Sequence, residues 1–239
     1  MRNSRWALLD VVKTLGYRLE ADWRILPWEN KRAWARSVLT GLLLTVALLF
    51  LLISAFRFVA AGRNHFAWEE SALRAIERGP ISFGSALWLQ TFGADFMLVL
   101  VALVACGLAA AYHRPLLAVS IPLALIVMDA IVRIGWLVLA RQRPDLIADG
   151  IASPGFHSFP SGHTSKTLVV YGLLIAQWLR ASQSIVEKLL ALLLLLVIVI
   201  IVPFGRLRMG VHWPTDILGG YLLGTIWLGF LLLALRKED

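Results

Sequence analysis

The sequence predicts an all-α fold: a bundle of six transmembrane helices, preceded by an amphipathic helix that lies at the membrane interface. Of the 239 residues, 59% are hydrophobic, whereas a soluble domain is about half apolar. Six apolar segments follow a basic N-terminal stretch, and several approach the ~20 residues that a helix needs to cross a bilayer. The net charge of +8 in so apolar a chain indicates binding to anionic lipid headgroups, or positively charged cytoplasmic loops, more than binding to nucleic acid.

Residues 1–36 form the first predicted unit, a basic segment that holds eight Lys or Arg side chains and four tryptophans. Apolar residues between positions 8 and 15 favour an amphipathic helix on the membrane surface, and a partly ordered tail is the alternative. The excess of positive charge predicts that this end is cytoplasmic. Residues 37–239 form the second predicted unit, a single membrane domain.

The six predicted spans cover residues 38–61, 86–112, 116–140, 166–179, 189–204 and 217–235. The fourth and fifth are short and reach a spanning length only if their polar ends continue as helix. Six spans return the C-terminus to the side on which the chain began, and the basic links then lie in the cytoplasm, as the positive-inside rule requires. The charged segment 63–83 lies outside, either as an interfacial helix or as a mobile loop.

A turn that leads into the fourth span carries the first candidate site residues. Ser161 and Gly162 precede an apolar run, so they are predicted to lie at the N-terminus of a helix. Unpaired backbone N–H groups and a positive macrodipole make such an end attractive to an anion. His163 follows directly and titrates near neutral pH, which suits proton exchange with a bound anion.

The segment 205–216, between the fifth and sixth spans, carries a second set. His212 and Asp216 are four residues apart, so on a helix they share a face, and a carboxylate there can fix the imidazole tautomer. Arg206 and Arg208 carry planar, permanently charged groups that suit phosphate.

Arg141 and Arg143, just after the third span, add two more guanidinium groups. In the six-span topology these arginines, the turn at 161–163 and the segment 205–216 all emerge on the outer side. Three motifs that are far apart in sequence are therefore predicted to form one anion-binding cluster at the outer membrane–water boundary.

These residues resemble the three signature motifs of the type 2 phosphatidic acid phosphatase superfamily. The matching residues are Arg143-Pro144, then Pro160-Ser161-Gly162-His163, then Arg206, His212 and Asp216 in the spacing Arg-x5-His-x3-Asp. The chain departs from the family pattern at two positions. Trp136 stands where the family usually has a lysine, and Gly205 stands where it usually has a serine.

The resemblance implies a membrane phosphatase that hydrolyses a lipid phosphate or diphosphate without a metal. It makes His212 the nucleophile that forms a phosphohistidine, Asp216 its orienting acid, and His163 the acid that protonates the leaving group. The expected phosphate ligands are Arg143, Arg206 and the backbone N–H groups of Ser161 and Gly162, and the further candidates are Arg133, Arg141 and Arg208. No cofactor is expected, because no Asp, Glu and His cluster has metal-ligand spacing.

Charged residues within the predicted spans allow two interpretations each. Asp129 and Arg133 are four residues apart, so they form either an ion pair that locks the bundle or a site where Arg133 replaces the lysine missing at Trp136. Lys166, one turn after His163, is expected to anchor its span at the interface rather than to touch phosphate. Asp95 is expected to pair with an outer arginine or to face water.

The expected partners are a lipid phosphate substrate and membrane lipids, and the expected location is a bacterial inner membrane with the active site on the periplasmic or extracellular side. A lipid-linked phosphotransferase on the same fold is one alternative, and a non-enzymatic anion transporter is another. A transporter has no need of a nucleophile paired with an orienting acid. The outer location favours undecaprenyl diphosphate or another outer-leaflet lipid over the other lipid phosphates.

Overall fold

The computed structural model describes residues 4–147, 150 and 157–238, and every regular element within them is helical. The helices are α1 (Ser4–Ile25), α2 (Trp28–Ala60), α3 (Ala67–Glu77), α4 (Phe83–Thr91), α5 (Asp95–Ala111), α6 (Pro115–Leu139), α7 (Gly162–Ala181), α8 (Ile185–Arg208) and α9 (Pro214–Ala234), followed by a 3-10 turn at Leu235–Lys237. The predicted all-α class is confirmed.

Five helical segments of the described chain are long and apolar enough to cross a membrane. They are Trp28–Ala60, Phe83–Ala111, Pro115–Leu139, Ile185–Arg208 and Pro214–Ala234, and each coincides with a predicted span. The remaining predicted span corresponds to α7, which has 20 residues and is less apolar. Because α7 packs against α6, α8 and α9, most of its surface meets protein, and polar side chains are tolerated there.

The second predicted span is interrupted, since α4 and α5 are separate helices that meet at Gly93. A Cβ atom on Gly93 would lie 2.4 Å from Val202 Cγ1 and 2.6 Å from Thr167 Oγ1, so this link packs directly against α7 and α8. The apolar pattern of the sequence continues through the link, which is why periodicity alone does not reveal it.

Close contact between α7 and α9 brings two of the motifs together. Gly220 and Gly224 lie one turn apart on α9 and face the start of α7. A Cβ atom on Gly220 would lie 2.8 Å from the Ser161 carbonyl oxygen, and one on Gly224 would lie 3.1 Å from the Ser165 carbonyl oxygen. Small residues at such positions let helix backbones approach closely, which is the usual basis of helix packing in membranes.

The bundle has two ends with different contents. At one end, the N-terminal segment, the α5–α6 link and the C-terminus meet. There His113 Nδ1 lies 2.9 Å from Asp22 Oδ2, and the Glu238 carboxylate accepts a hydrogen bond from the Leu117 N–H at 2.9 Å. At the other end, the three motif segments converge, as the predicted topology requires.

α1 occupies the region where the amphipathic helix is predicted, and it packs against α5 and α6. Leu9, Val11 and Val12 are each more than half exposed, which suits a helix that lies against lipid. The interfacial position itself stays a prediction. The expected unit boundary between residues 36 and 37 falls inside α2, so the basic segment continues into the first long helix.

Candidate active site

The third motif forms the link between α8 and α9. Arg206 and Arg208 lie in the last turn of α8, and His212 lies in the link. Asp216 lies in the first turn of α9, where its Oδ2 accepts a hydrogen bond from the Trp213 N–H at 2.7 Å. His212 Nδ1 lies 3.5 Å from the same oxygen. The two side chains therefore meet as the spacing predicts, but through a helix cap rather than along a helix face.

The second motif begins α7, as predicted. Ser161 is the N-cap, and its hydroxyl accepts a hydrogen bond from Thr164 Oγ1 at 2.9 Å. The Ser161 N–H donates to the Asp216 carbonyl oxygen at 3.0 Å, so it joins the second motif to the third. Contrary to the expectation, this N–H group is not open to phosphate. The N–H groups of Gly162 and His163 are the ones at the positions where a helix offers no internal acceptor.

Arg141, a further candidate for phosphate binding, is engaged inside the protein. Its side chain is 1% exposed, and its guanidinium donates to Asp216 Oδ1 at 2.5 Å and to Glu69 Oε2 at 2.7 Å. A third hydrogen bond reaches Thr215 Oγ1 at 2.6 Å. Arg141 thus ties the first motif to the third, and its donors are committed to protein acceptors rather than directed at a ligand.

Glu69 is a partner of this network that sequence reasoning does not identify. Its Oε2 also accepts from the Phe66 N–H at 2.8 Å, which fixes the start of α3, and its Oε1 accepts from Thr215 Oγ1 at 2.6 Å. Of the two alternatives for segment 63–83, the structure therefore has a helix, anchored to the third motif. An acid in the first turn of a short helix suggests a cap, but its arginine partner lies 72 positions away and no local pattern points to it.

A cavity of about 300 Å³ opens where the motifs meet. Its lining includes Arg143 from the first motif, Gly162 and His163 from the second, and Arg206 and His212 from the third. The other lining residues are Asp95, Asp129, Val132, Arg133, Trp136 and Lys166. Two histidines and several cations thus face one space, although they are spread over 79 positions of the sequence, from Arg133 to His212.

Arg208 has a different position from Arg206. It is buried, and its Nε donates to the Ile81 carbonyl oxygen at 2.8 Å, in the segment before α4. It is absent from the cavity lining, so the structure places this further candidate away from the cluster. Arg206 faces the cavity, and its Nη1 donates to Gln90 Oε1 of α4 at 3.0 Å. Gln90 is a second partner that the sequence pattern does not indicate.

Burial controls the protonation of His212, which is 1% exposed. Burial lowers the pKa of His212 from its ordinary value of 6.5 to about 4, although the neighbouring Asp216 carboxylate opposes the shift. Burial also lowers the pKa of Arg143, and Asp216 again opposes it. At neutral pH the cavity therefore presents a neutral imidazole, the form with a lone pair for nucleophilic attack, beside permanently charged guanidinium groups.

The charged residues of the spans form one cluster at the edge of the cavity. Asp129 Oδ2 accepts from Arg133 Nε at 2.6 Å, which confirms the expected ion pair. Lys166 Nζ donates to Asp129 Oδ1 at 3.2 Å and also to Asp95 Oδ1. The expectation that Lys166 anchors its span at the interface is wrong, because its side chain is only 9% exposed. Of the two alternatives for Asp95, the outer arginine is not its partner: it pairs with Lys166, and its side chain is 66% exposed.

The two departures from the family pattern have structural explanations. Trp136, in place of the usual lysine, lines the cavity, and its Nε1 donates to the Pro160 carbonyl oxygen at 3.1 Å. It therefore supports the second motif. Gly205, in place of the usual serine, lies where a Cβ atom would be 2.8 Å from the Ala86 carbonyl oxygen. The backbone of α4 fills the space that a serine side chain needs.

The part of the chain that the structure describes contains no group of three or more His, Cys, Asp or Glu side chains that could hold a metal ion. The positive groups that face the cavity are instead side chains of arginine, lysine and histidine, which can compensate phosphate charge themselves.

Comparison with known proteins identifies a family whose model matches this chain and a protein of similar sequence. The model of the PAP2 superfamily matches residues 115–239, which contain all three motifs. An undecaprenyl-diphosphatase from Sulfolobus acidocaldarius is 24% identical over 194 residues, which cover 77% of this chain and 86% of that protein.

Two solved structures are also similar. A transmembrane PAP2-type phosphatidylglycerolphosphate phosphatase from Bacillus subtilis superposes with a TM-score of 0.64 at 22% identity, over 83% of this chain and 98% of that one. Aquifex aeolicus LpxE superposes with a TM-score of 0.51 at 18% identity, over 73% of this chain and 98% of that one. At these identities the likeness establishes the shared fold.

Proposed function

This chain belongs to the PAP2 superfamily, and we propose that it is a phosphatase that hydrolyses a lipid phosphate or diphosphate through a phosphohistidine intermediate. It is a multi-pass integral membrane protein whose relatives include enzymes named for lipid phosphate substrates. The observation that carries the proposal is the shared cavity, in which a buried neutral His212 lies beside an acid and faces His163, Arg143 and Arg206.

In the first step His212 attacks the terminal phosphorus. Its Nδ1 faces Asp216, so Nε2 is the nitrogen that forms the P–N bond. The P–O bond to the leaving group breaks, its electron pair stays on that oxygen, and His163 donates the proton. As His212 gains positive charge, the Asp216 carboxylate stabilises it, which is the role of the acid in a catalytic triad.

In the second step water attacks the phosphorus of the phosphohistidine. His163, now neutral, takes the proton from the water, and the P–N bond breaks to return neutral His212 and release phosphate. Arg143, Arg206 and the N–H groups at the start of α7 hold the non-bridging oxygens through both steps. Phosphoryl transfer depends mainly on positioning and charge stabilisation, and these groups supply both without a metal.

The site lies at the outer face of the membrane in this proposal. α2, α4 with α5, α6, α7, α8 and α9 make six passes, with α7 as the pass that is surrounded by protein. The basic N-terminal segment shares its end of the bundle with the α5–α6 link and the C-terminus, which by the positive-inside rule is the cytoplasmic end. The opposite end, with the cavity, then faces the periplasm or the exterior of a bacterial inner membrane.

Trapping the intermediate tests the mechanism. The purified protein in detergent micelles is mixed briefly with a lipid phosphate labelled in its terminal phosphate and is then denatured in alkali. Phosphohistidine is stable in alkali and labile in acid, so the expected result is label on the protein that acid removes. His212→Ala should carry no label, whereas His113→Ala, a matched change at the opposite end of the bundle, should label like the wild type.

Label that persists in His212→Ala would contradict the proposed nucleophile. Transfer of label to an added lipid or sugar alcohol, in place of release as inorganic phosphate, would favour the phosphotransferase alternative. If the protein takes up no label and releases no phosphate, both the phosphatase and the phosphotransferase hypotheses are contradicted.

A further inference from the structure

A second cavity shares four charged residues with the site. It has a volume of about 480 Å³ and lies between α5 and α6. Asp95, Asp129, Arg133 and Lys166 line both this cavity and the one that holds the histidines. The cluster of these four residues, the charged quartet, therefore stands at the junction of the two spaces.

The rest of the second cavity is apolar. Its other lining residues are Leu98, Val99, Leu125, Ile126 and Ala130. Val99 is 49% exposed and Ile126 is 66% exposed, so the groove opens on the side of the bundle, where the surroundings of a membrane protein are lipid chains. A hydrocarbon chain can lie here with its polar end at the charged quartet.

Lys166 is the fixed member of the quartet. Its side chain is 9% exposed, and its Cε lies 3.6 Å from the position of a Cβ atom on Gly162. The lysine stem therefore packs against the first turn of α7, and its ammonium lies at the boundary between groove and site. Asp129 links Lys166 to Arg133, so the two cations are held on one side of the junction.

Asp95 is the most displaceable partner. Its side chain is 66% exposed, against 36% for Asp129, and it lies in the first turn of α5 beside the α4–α5 break. The inner phosphate of a lipid diphosphate carries one negative charge, as a carboxylate does, and offers two non-bridging acceptor oxygens. It can therefore replace Asp95 on Lys166, while Asp129 stays in place and keeps Lys166 and Arg133 together.

We propose that Lys166 and Arg133 form a second phosphate subsite that makes this enzyme selective for lipid diphosphates over lipid monophosphates. The inference rests on the proposed phosphatase function. The lipid chain lies in the groove between α5 and α6, the inner phosphate binds Lys166 and Arg133, and the terminal phosphate reaches His212. A monophosphate places its single phosphate at His212 and leaves the subsite to Asp95.

The subsite also acts on the leaving group. When His212 attacks the terminal phosphorus, the bond to the bridging oxygen breaks and the electron pair stays on the inner phosphate. His163 supplies one proton to that oxygen, and the products are a lipid monophosphate and, after hydrolysis of the phosphohistidine, inorganic phosphate. Lys166 stabilises the charge that the departing inner phosphate retains.

Paired substrates test this assignment. Farnesyl diphosphate and farnesyl monophosphate share one chain and differ by the inner phosphate alone, and kcat/KM is measured for both in detergent micelles. Lys166→Met should lower kcat/KM for the diphosphate at least about tenfold more than for the monophosphate, as expected for a lost charge-assisted hydrogen bond. Lys166→Arg should restore most of the difference. Lys13→Met, an exposed lysine of α1, serves as the control and should change neither substrate.

Asp95→Asn provides a second variant at an exposed position. Because it removes the competitor of the inner phosphate, it should lower KM for the diphosphate by a larger factor than KM for the monophosphate. Equal losses for both substrates in Lys166→Met, or a diphosphate KM that does not fall in Asp95→Asn, would overturn the subsite. Hydrolysis that survives in His212→Ala would instead overturn the proposed function, so the two failures are distinguishable.

Discussion

Arg141 and Asp216 lie 75 positions apart in the sequence and form an ion pair of 2.5 Å in which neither side chain is more than 1% exposed. The Oδ1 atom of Asp216 takes this contact, while Oδ2 faces His212 Nδ1 at 3.5 Å. One carboxylate thus connects the first motif to the proposed nucleophile. A buried ion pair of this kind is stable only when the two groups are in close, well-oriented contact. Removal of either partner leaves the other charged and without a counter-ion.

Replacing Arg141 should therefore destabilise the whole outer end of the bundle. Arg141→Met leaves Glu69 and Asp216 without their cation, and the expected cost is about 3–5 kcal/mol in the free energy of unfolding. Unfolding in detergent, followed by circular dichroism, measures it. Arg63→Met, a change at an exposed outer arginine, is the control and should stay close to the wild type. Equal midpoints for the two variants would show that the buried network has no structural role.

Gly205 should not tolerate the serine that its family usually has there. A Cβ atom would lie 2.8 Å from the Ala86 carbonyl oxygen and 3.2 Å from the Gln90 backbone nitrogen, so Gly205→Ser must push α4 away from α8. We expect a loss of about 1–3 kcal/mol and weaker substrate binding, because Gln90 also holds Arg206.

A matched glycine in another long helix provides the control for this prediction. Nothing lies within 4 Å of the Cβ position at Gly229 in α9, so Gly229→Ser should leave the unfolding midpoint almost unchanged. If both serine variants unfold at the same temperature, the tight approach of α4 to Gly205 is not present in the protein.

The low pKa of His212 should appear in the pH dependence of stability. The folded protein keeps His212 neutral down to about pH 4, whereas the unfolded chain takes up a proton below its ordinary pKa of 6.5. Protons thus favour the unfolded chain, and stability from this group is lost as the pH falls from 6.5 to 4. Between pH 7 and pH 5 the loss should be about 2 kcal/mol.

Comparison with an uncharged variant isolates this contribution. His212→Asn cannot titrate in this range, so its free energy of unfolding should change less between pH 7 and pH 5 than that of the wild type. The two proteins would show the same pH dependence if His212 kept an ordinary pKa in the folded state.

Much of the arrangement follows from local sequence patterns. Apolar runs of spanning length predict the long helices, and Ser161-Gly162 predicts the start of α7 because cap residues act within a few positions of themselves. The spacing of His212 and Asp216 predicts their contact. In each case the interacting groups are close in sequence, so a local sequence pattern is enough to predict the structure.

The rest depends on contacts between distant segments. Arg141 and Arg143 look alike in sequence, yet the first is committed to buried carboxylates and the second lines the cavity. In the sequence Lys166 resembles an interfacial anchor, but in the structure α5 and α6 pack so that the carboxylates of Asp95 and Asp129 contact it. Tertiary packing decides these roles, and a single sequence does not report which distant side chain completes each pair.

Phosphate release from lipid phosphates by the purified protein, with EDTA present and with His212→Ala alongside, is the measurement that decides whether the protein is a metal-independent histidine phosphatase. The panel contains phosphatidate, phosphatidylglycerophosphate and undecaprenyl diphosphate. We expect release that EDTA does not reduce and that falls at least about a thousandfold in His212→Ala, because the nucleophile is lost. Release at a similar rate in His212→Ala, or release that EDTA abolishes, would contradict a metal-independent histidine phosphatase.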